Sequence, residues 1–204
     1  MLIKTLPVGQ LETNCYVVTD EKSLICAVID PGDESNTILD YLEDNHLRCT
    51  HILITHGHYD HTMAVSAVKE ATGAEVYMNE KDAHADLQSA SLKYNPPAGT
   101  HFYKDGDTVD VGGLHFTVLE TPGHSAGSVC LLCEDAIFSG DTLFQGSCGR
   151  TDFPGSDPNA MLTSLKRLYG LEGDYEVYPG HMDSTTLSRE RAHNYYMRLA
   201  AGLE

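Results

Sequence analysis

A dense cluster of metal-binding residue types lies about one quarter of the way along this 204-residue chain. Three histidines and one carboxylate occur within six positions, at His56, His58, Asp60 and His61. Imidazole nitrogens and carboxylate oxygens suit zinc, iron and manganese, and an open coordination position leaves room for water. The spacing therefore predicts a turn that holds one or two divalent ions. The simpler alternative is a polar loop whose histidines are solvated or cap a helix.

The residues around this cluster place it between a strand and a helix. The β-branched apolar run at 51–54 predicts a short buried strand, and the pattern over 62–72 predicts a helix. In an extended turn, alternate side chains project in a similar direction, so the first three ligand candidates point together. We expect His61 to open the helix and to approach the same point from the side.

Four more residues of these types stand where predicted strands end. They are Asp30, His124, Asp141 and His181, and each of the last three directly follows a glycine. Functional carboxylates are often found at strand ends in α/β proteins. For Asp30, a role in an Asx turn or a helix cap is an equal alternative to a role beside the metal.

The remaining sequence alternates between apolar strand patterns and amphipathic helix patterns. Strands are predicted at 2–7, 15–19, 24–29, 75–78, 108–111, 114–119, 129–133, 136–138 and 175–178, and helices at 34–46, 159–169 and 188–199. Residues 80–90 are predicted as a short polar helix or a loop, and 94–99 as a mobile irregular segment. The length fits one sizeable core, so we expect a single domain over residues 1–204.

Composition limits the classes of partner. Asp and Glu number 30 against 13 for Lys and Arg, which gives a formal charge of −17 and disfavours nucleic acid. No apolar run reaches membrane-spanning length and no secretory signal opens the chain, so we expect no membrane partner and a cytoplasmic location. The six cysteines are then expected as reduced thiols, with Cys130 and Cys133 filling the core of a strand. The sequence leaves the oligomeric state open.

The ligand candidates together resemble the five-motif signature of the metallo-β-lactamase superfamily. The matching residues are His56, His58, Asp60, His61, His124, Asp141 and His181, with Asp30 as the first aspartate of the signature. The resemblance covers nearly the whole chain. It implies a four-layer αβ/βα sandwich, in which two mixed β-sheets pack face to face with helices outside and metals at one edge.

The same resemblance assigns a role to each ligand. It implies that His56, His58 and His124 bind one metal, that Asp60, His61 and His181 bind a second, and that Asp141 bridges the two. The cofactors would be two divalent ions, with zinc foremost and iron or manganese as alternatives. Ions about 3.5 to 4 Å apart can share a hydroxide and polarise a carbonyl. As a catalytic residue, Asp60 is expected to orient that hydroxide.

The segment at 141–155 resembles the glyoxalase II branch of this superfamily, especially its short bacterial hydroxyacylglutathione hydrolases. That resemblance implies hydrolysis of a small-molecule thioester such as S-lactoylglutathione. In this branch the basic residue after Cys-Gly, here Arg150, lies where glutathione binds, and arginine suits a carboxylate. The alternative for Arg150 is a surface ion pair. We expect no C-terminal glutathione-binding helical domain in this chain, so other thioesters or esters are also candidates.

Other functions of the superfamily remain as alternatives. The run at 149–153 also resembles persulfide dioxygenases, in which one iron would be held by His56, His124 and Asp141. A lactonase or another ester hydrolase, or a metal-binding protein with little turnover, would share the same ligands. Lactamases of the commonest class have a cysteine ligand and lack the bridge that Asp141 provides, so antibiotic hydrolysis is not expected.

Overall fold

The computed structural model describes residues 1–83 and 94–203. The strands are β1 (Leu2–Val8), β2 (Thr13–Asp20), β3 (Ile25–Ile29), β4 (Arg48–Leu53), β5 (Glu75–Met78), β6 (His101–Phe102), β7 (Thr108–Val111), β8 (Leu114–Glu120), β9 (Val129–Cys133), β10 (Ala136–Gly140), β11 (Leu143–Phe144), β12 (Ser147–Cys148), β13 (Glu176–Pro179) and β14 (Thr185–Thr186). The helices are α1 (Ser35–Asp44), α2 (Tyr59–Thr62), α3 (Val65–Thr72), α4 (Glu80–Ala83), α5 (Pro158–Tyr169), α6 (Leu187–His193) and α7 (Tyr195–Ala200). None of these helices is long and apolar enough to cross a membrane.

Two six-stranded sheets form the centre of the fold, and both are mixed. The first has the order β1-β2-β3-β4-β5-β6 and is antiparallel as far as β3 and parallel beyond it. The second has the order β14-β13-β10-β9-β8-β7 and is antiparallel except where β10 and β13 pair in parallel. Strands β11 and β12 form a separate small hairpin.

Alternation along the strands produces three apolar layers. On β2, Val17 packs toward α1 and α3, whereas Val18 packs between the two sheets with Phe138 of β10. On β10, the neighbouring Ile137 packs outward against α5, α6 and α7. Helices therefore cover the outer face of each sheet, and the predicted four-layer αβ/βα sandwich is confirmed.

The strand predicted around Cys130 and Cys133 is also confirmed. Cys130 packs in the outer layer and Cys133 in the layer between the sheets, so the two thiols lie on opposite faces of β9. Neither forms a disulfide. Both cysteines fill the core, as their spacing on a strand predicts.

The helix predicted over 62–72 is interrupted. It begins at Val65, after the single turn of α2, which contains His61. At the break, the Ala64 backbone N–H donates to the carbonyl of Pro31 at 3.0 Å and makes no bond within a helix. Gly32 lies so close to the Asp60 carbonyl that a Cβ there would collide with it. A contact with the β3–α1 turn therefore separates the two helices.

The closing helix predicted over 188–199 is two helices that meet at Asn194. The backbone of Asn194 is extended, and its side-chain oxygen accepts from the Met197 backbone N–H at 3.1 Å, which caps α7. Its amide nitrogen donates to the Ser147 carbonyl at 2.8 Å. Packing against β12 therefore favours a cap at this position over a continuous helix.

The less regular segments agree with the sequence in part. Residues 80–83 form the short helix α4, and the remainder of the segment predicted at 80–90 lies outside the described residues. Residues 94–99 are irregular, as expected, and their mobility stays a prediction. The two-residue strands β6, β11, β12 and β14 were not predicted, because so short a run shows no alternation.

Candidate metal centre

All seven ligand candidates converge at one edge of the sandwich, where strands of both sheets end. The turn after β4 and helix α2 carry four of them, and single residues follow β8, β10 and β13. In chain order they are His56, His58, Asp60, His61, His124, Asp141 and His181. The fold thus brings together residues that are up to 125 positions apart, the separation between positions 56 and 181.

Three buried histidines form the first triad. Ligand atoms of His56, His58 and His124 all lie within 4.8 Å of one another. His58 Nδ1 is 2.8 Å from His124 Nε2, and the three side chains are almost inaccessible to solvent. Three imidazoles at this spacing suit one divalent ion.

The second triad consists of Asp60, His61 and His181, whose ligand atoms also lie within 4.8 Å of one another. His181 Nε2 is 3.2 Å from Asp60 Oδ2 and 3.4 Å from His61 Nε2. This triad is more open than the first, because Asp60 and His181 are only partly buried. Mixed nitrogen and oxygen donors again suit zinc, iron or manganese.

Asp141 lies between the two triads. Its Oδ2 is 3.3 Å from His124 Nε2 in the first triad and 3.8 Å from His181 Nε2 in the second. Its Oδ1 is 3.5 Å from His61 Nε2. One carboxylate therefore reaches both ligand sets, which is the position that a bridging ligand requires.

Hydrogen bonds to backbone carbonyls orient two of the histidines. His124 Nδ1 is 2.9 Å from the Arg150 carbonyl, and His181 Nδ1 is 3.1 Å from the Leu11 carbonyl. A carbonyl only accepts, so Nδ1 of each ring must carry the proton. In the neutral ring, Nε2 then presents its lone pair to the triad, which is the usual arrangement of a metal-binding histidine.

Asp30 orients one histidine of each triad. Its carboxylate accepts from the Thr55 backbone N–H at 2.7 Å, the Thr55 hydroxyl at 2.6 Å and His61 Nδ1 at 2.9 Å. Because the Thr55 hydroxyl donates to Asp30, its oxygen accepts from His56 Nδ1 at 3.1 Å. Of the two roles considered for Asp30, the structure supports the one beside the metal site. Asp30 also adopts a left-handed backbone, with φ of 50°.

Sequence patterns gave no indication of a further buried carboxylate, Asp82 on α4. It accepts from the Gly57 N–H at 2.8 Å, the Ser125 hydroxyl at 2.7 Å and the Gly127 N–H at 2.6 Å. Gly57 lies between two ligands of the first triad, and Ser125 directly follows the third, His124. Asp82 therefore joins the two segments that supply that triad.

Burial and neighbouring charges shift the pKa values of the ligand candidates in different directions. Burial lowers the pKa of His58 to about 4, and burial also lowers the pKa of His56 well below its ordinary value. Burial opposes the charged form of His61 too, but Asp141 and Asp30 raise its pKa to about 9. For Asp60, burial is outweighed by the hydrogen bond from His181 and by nearby imidazoles, which lower its pKa.

Two polar atoms at the centre of the site indicate whether divalent ions would fit there. His56 Nε2 and Asp141 Oδ1 are buried and make no hydrogen bond within the described structure. Buried polar atoms without partners are costly, and both atoms point into the ligand sets. The unpaired atoms and the nitrogen and oxygen donors fit divalent ions at this position.

A cavity of about 700 Å³ opens over the two triads. Apolar side chains form much of its wall, namely Leu11, Phe144, Phe153, Pro154 and Met182. Arg150 also lines this cavity, and it forms the ion pair considered as the alternative to substrate binding. Its guanidinium makes two hydrogen bonds of 2.7 Å to Asp152 and lies 4.0 Å from the Phe153 ring centre. Substrate binding by Arg150 stays a prediction.

Comparison with known sequences identifies relatives over nearly the whole chain. The family model for the metallo-beta-lactamase superfamily matches residues 8–181. Hydroxyacylglutathione hydrolase GloC of Haemophilus influenzae is 31% identical over 209 residues, which cover 97% of this chain and 98% of that protein.

Solved structures of three related proteins share the fold. BLEG-1, a B3 metallo-beta-lactamase, has a TM-score of 0.86 and 31% identity, with 96% of this chain and 99% of that chain covered. ETHE1 from Myxococcus xanthus has a TM-score of 0.82 and 32% identity, with coverage of 98% and 85%. TTHA1623 in a di-iron-bound form has a TM-score of 0.82 and 37% identity, with coverage of 95% and 99%.

These matches agree with the geometry. The two mixed sheets flanked by helices are the architecture that the solved relatives share, and the family match spans the segments that carry all seven ligand candidates. The chain belongs to the metallo-beta-lactamase superfamily.

Proposed function

We propose that this protein is a metal-dependent thioester hydrolase of the glyoxalase II type. The observation that carries the proposal is the position of Asp141, whose two oxygens lie between two complete ligand triads below an open cavity. Two divalent ions held there would supply a nucleophile at neutral pH and polarise the scissile carbonyl. We propose zinc for both positions, and the di-iron form of TTHA1623 makes iron the first alternative.

The residues of the second triad supply the orienting groups. Asp60 lines the cavity, and its lowered pKa keeps it an anionic acceptor at neutral pH. Its Oδ2 is 3.2 Å from His181 Nε2 and accepts weakly from the Thr13 hydroxyl at 3.4 Å. The Thr13 hydroxyl therefore helps to hold this carboxylate. We assign Asp60 the catalytic role of orienting the attacking water.

The cavity supports a small-molecule substrate. Its volume is in the range of ordinary ligand pockets, and its apolar walls can bury the acyl and thiol groups while excluding water. We propose that Arg150, which lines the cavity, contacts the thiol half of the thioester. The relationship to GloC, which covers 97% of this chain and 98% of that protein, supports this activity, because that relative is a hydroxyacylglutathione hydrolase.

A single-iron persulfide dioxygenase is the second candidate. The run at 149–153 resembles those enzymes, and two histidines with Asp141 could form the three-ligand set of a non-haem iron site. In that case the second triad would serve no metal. A hydrolase uses both triads, so the two functions differ in their dependence on His181.

The test uses anaerobically purified protein whose metals have been counted. Three assays are run in parallel: cleavage of S-lactoylglutathione, oxygen uptake with glutathione persulfide, and cleavage of a chromogenic cephalosporin. The last assay addresses the likeness to BLEG-1. We expect thioester cleavage with about two ions per chain, as a two-metal site requires. Oxygen uptake with one iron per chain would refute the proposal.

The variant His181→Gln sharpens the test. A two-metal hydrolase should lose about 10²-fold or more in kcat together with one ion per chain, because the second triad is incomplete. A single-iron dioxygenase should keep its activity. His115→Gln is the matched control, because His115 is an exposed histidine that pairs with Asp110 on the far strand β7.

A further inference from the structure

A buried carboxylate on α6, that of Glu190, contacts a segment of the cavity wall. Its Oε2 accepts from the Gly146 backbone N–H at 2.7 Å and from the Asn194 side-chain amide at 2.8 Å. Its Oε1 accepts from the Thr185 hydroxyl at 2.7 Å. Glu190 is only 1% exposed, and the described wall of the cavity over the triads does not include it. Glu190 can therefore act on a substrate only through the residues that it contacts.

The Gly146 contact lies at the tip of the β11–β12 hairpin, which forms one side of the cavity. Phe144, Ser147 and Cys148 of this hairpin line the cavity. Within the described structure the two short strands pair only with each other, so strand pairing with the six-stranded sheets does not fix them. A Cβ at Gly146 would meet no atom within 4 Å, so the tip is not packed on that side. The tip therefore depends on hydrogen bonds to side chains for its position.

Asn194 makes a second set of contacts to the hairpin. Its side-chain nitrogen donates to the Ser147 carbonyl at 2.8 Å and lies 3.3 Å from the Phe144 carbonyl. The same nitrogen donates to Glu190, one helical turn earlier in the chain. Because Glu190 and Asn194 are both buried, their hydrogen bonds are shielded from water, which strengthens them.

We propose that Glu190 is a positioning residue for substrate binding, because its carboxylate and Asn194 together hold the hairpin that forms one side of the cavity. The inference deepens the proposed thioester hydrolysis, and its kinetic test rests on that function. Glu190 acts as a hydrogen-bond acceptor in this role. Its negative charge is not required.

The base of the hairpin is anchored separately from its tip. Asp141 precedes β11 by two positions, and Arg150 follows β12 by two positions. At the base, the Ser139 hydroxyl of β10 donates to the Leu143 carbonyl at 2.7 Å. A displaced tip should therefore alter the cavity wall while Asp141 keeps its place between the triads. We expect the loss of the Glu190 acceptor to weaken substrate binding and to spare the metal ligands.

The variant Glu190→Met removes the acceptor and keeps a side chain of similar length. A thioether is only a weak acceptor, so the Gly146 N–H loses its partner. With the metal-loaded enzyme, we expect the KM for S-lactoylglutathione to rise by at least about fivefold, which corresponds to a modest loss of binding. We expect kcat to stay within about twofold, because the substrate and the transition state lose the same contacts. The number of ions per chain should not change.

Two matched variants separate this role from charge and from general stability. In Glu190→Gln the amide oxygen can still accept from Gly146 and Asn194, and the NH₂ group can donate to the Thr185 hydroxyl, so this conservative variant should rescue the low KM. Thr185→Val removes the partner of Glu190 Oε1 and leaves both contacts to the hairpin in place. We expect it to lower stability without raising the KM.

The variant Asn194→Ser tests the same wall from the second contact. Serine caps a helix about as well as asparagine, so α7 should keep its cap. The shorter side chain cannot reach the Ser147 carbonyl. We therefore expect the KM to rise as in Glu190→Met, and this variant also serves if Glu190→Met does not fold.

The position of the hairpin can also be measured without turnover. Cys148 on β12 is partly exposed, whereas the other five cysteines are buried. Its rate of reaction with a small maleimide reports local opening of the hairpin. We expect this rate to rise at least about fivefold in Glu190→Met and Asn194→Ser, and to stay at the unmodified level in Glu190→Gln and Thr185→Val.

The two measurements separate this inference from the proposed function. If the unmodified protein cleaves no thioester, the proposed function fails, and the labelling rates alone decide whether Glu190 holds the cavity wall. Unchanged labelling in both Glu190→Met and Asn194→Ser would overturn the inference. Equal changes in Thr185→Val would also overturn it, because they would indicate general destabilisation. Faster labelling with an unchanged KM would refute the role in substrate binding.

Discussion

The substitution Asp82→Asn tests whether one buried carboxylate holds the first triad together. Its two oxygens accept from the N–H groups of Gly57 and Gly127 and from the Ser125 hydroxyl. These donors belong to two separate segments, the turn after β4 and the loop after β8. Without this acceptor, the segments that carry the three histidines lose their common hydrogen-bonding partner.

The expected magnitude follows from those three bonds. Asparagine keeps one oxygen, so in either orientation its NH₂ group faces a backbone N–H, that of Gly57 or that of Gly127. A hydrogen bond to a charged group contributes about 1.5 to 3 kcal/mol, and an unsatisfied buried donor costs about 1 to 3 kcal/mol. We therefore expect the free energy of unfolding to fall by about 2 to 4 kcal/mol. Loss of such a supporting contact typically weakens metal binding by about 10- to 100-fold.

The assay needs a protein in which the first triad alone can bind metal. We would use the His181→Gln background, which lacks a ligand of the second triad, and measure metal affinity by competition with a chromophoric chelator. Urea unfolding of the metal-free protein gives the change in stability. Glu80→Gln is the matched control, an exposed acid on the same helix. The reasoning would be refuted if Asp82→Asn left the metal affinity within twofold of that of the His181→Gln protein and the free energy of unfolding within about 0.5 kcal/mol of it.

Two further predictions concern the second triad. Because the pKa of His61 is raised to about 9 in the metal-free protein, an ion must displace a proton from it, and we expect affinity at this triad to rise about tenfold per pH unit between pH 7 and 9. At the first triad, metal affinity should not change with pH above pH 7, because His58 has a pKa of about 4 and is already neutral. Competition titrations across this pH range would measure the affinity of both triads. The substitution Gly180→Ala places a Cβ against Asp141 Oδ1 and 2.7 Å from His61 Cε1, so we expect the loss of at least one ion and of most activity while circular dichroism stays unchanged. Normal metal content and activity in Gly180→Ala would contradict the geometry of the bridging position.

Local patterns predicted most of the fold because burial in this sandwich follows the periods of strand and helix. Val17 and Val18 illustrate this, since neighbours on one strand pack into different layers. The two helix breaks could not be predicted in the same way. The break before Val65 depends on a carbonyl of the β3–α1 turn, and the cap at Asn194 depends on β12, so each arises from a contact between distant parts of the chain.

At the metal centre, too, local patterns predicted some residues, whereas contacts between distant parts of the chain determined the others. The ligand candidates were visible because His56, His58 and His61 are concentrated in one turn, and so dense a group of imidazoles is typical of a metal site. Asp30 was noticed at its strand end, but only its bonds to Thr55 and His61 decide between its two roles. Asp82 lay in an ordinary polar segment. Its importance comes from the close approach of two glycines, which no local pattern records.

Both triads take their ligands from both halves of the sandwich, and this determines how the site and the fold depend on each other. In each triad, two ligands come from the segment after β4 and one histidine comes from the second half of the chain, while Asp141 reaches across both. A bound ion would therefore link the two sheets as well as serve the chemistry. Each ion at 100 times its Kd would add about 2.7 kcal/mol to the free energy of unfolding. The two sheets pack on Phe138 and its neighbours, and this packing sets the distance between the ligands that follow β4 and those that the second half of the chain supplies. The core between the sheets therefore positions the metal centre together with the turn that carries most of its ligands.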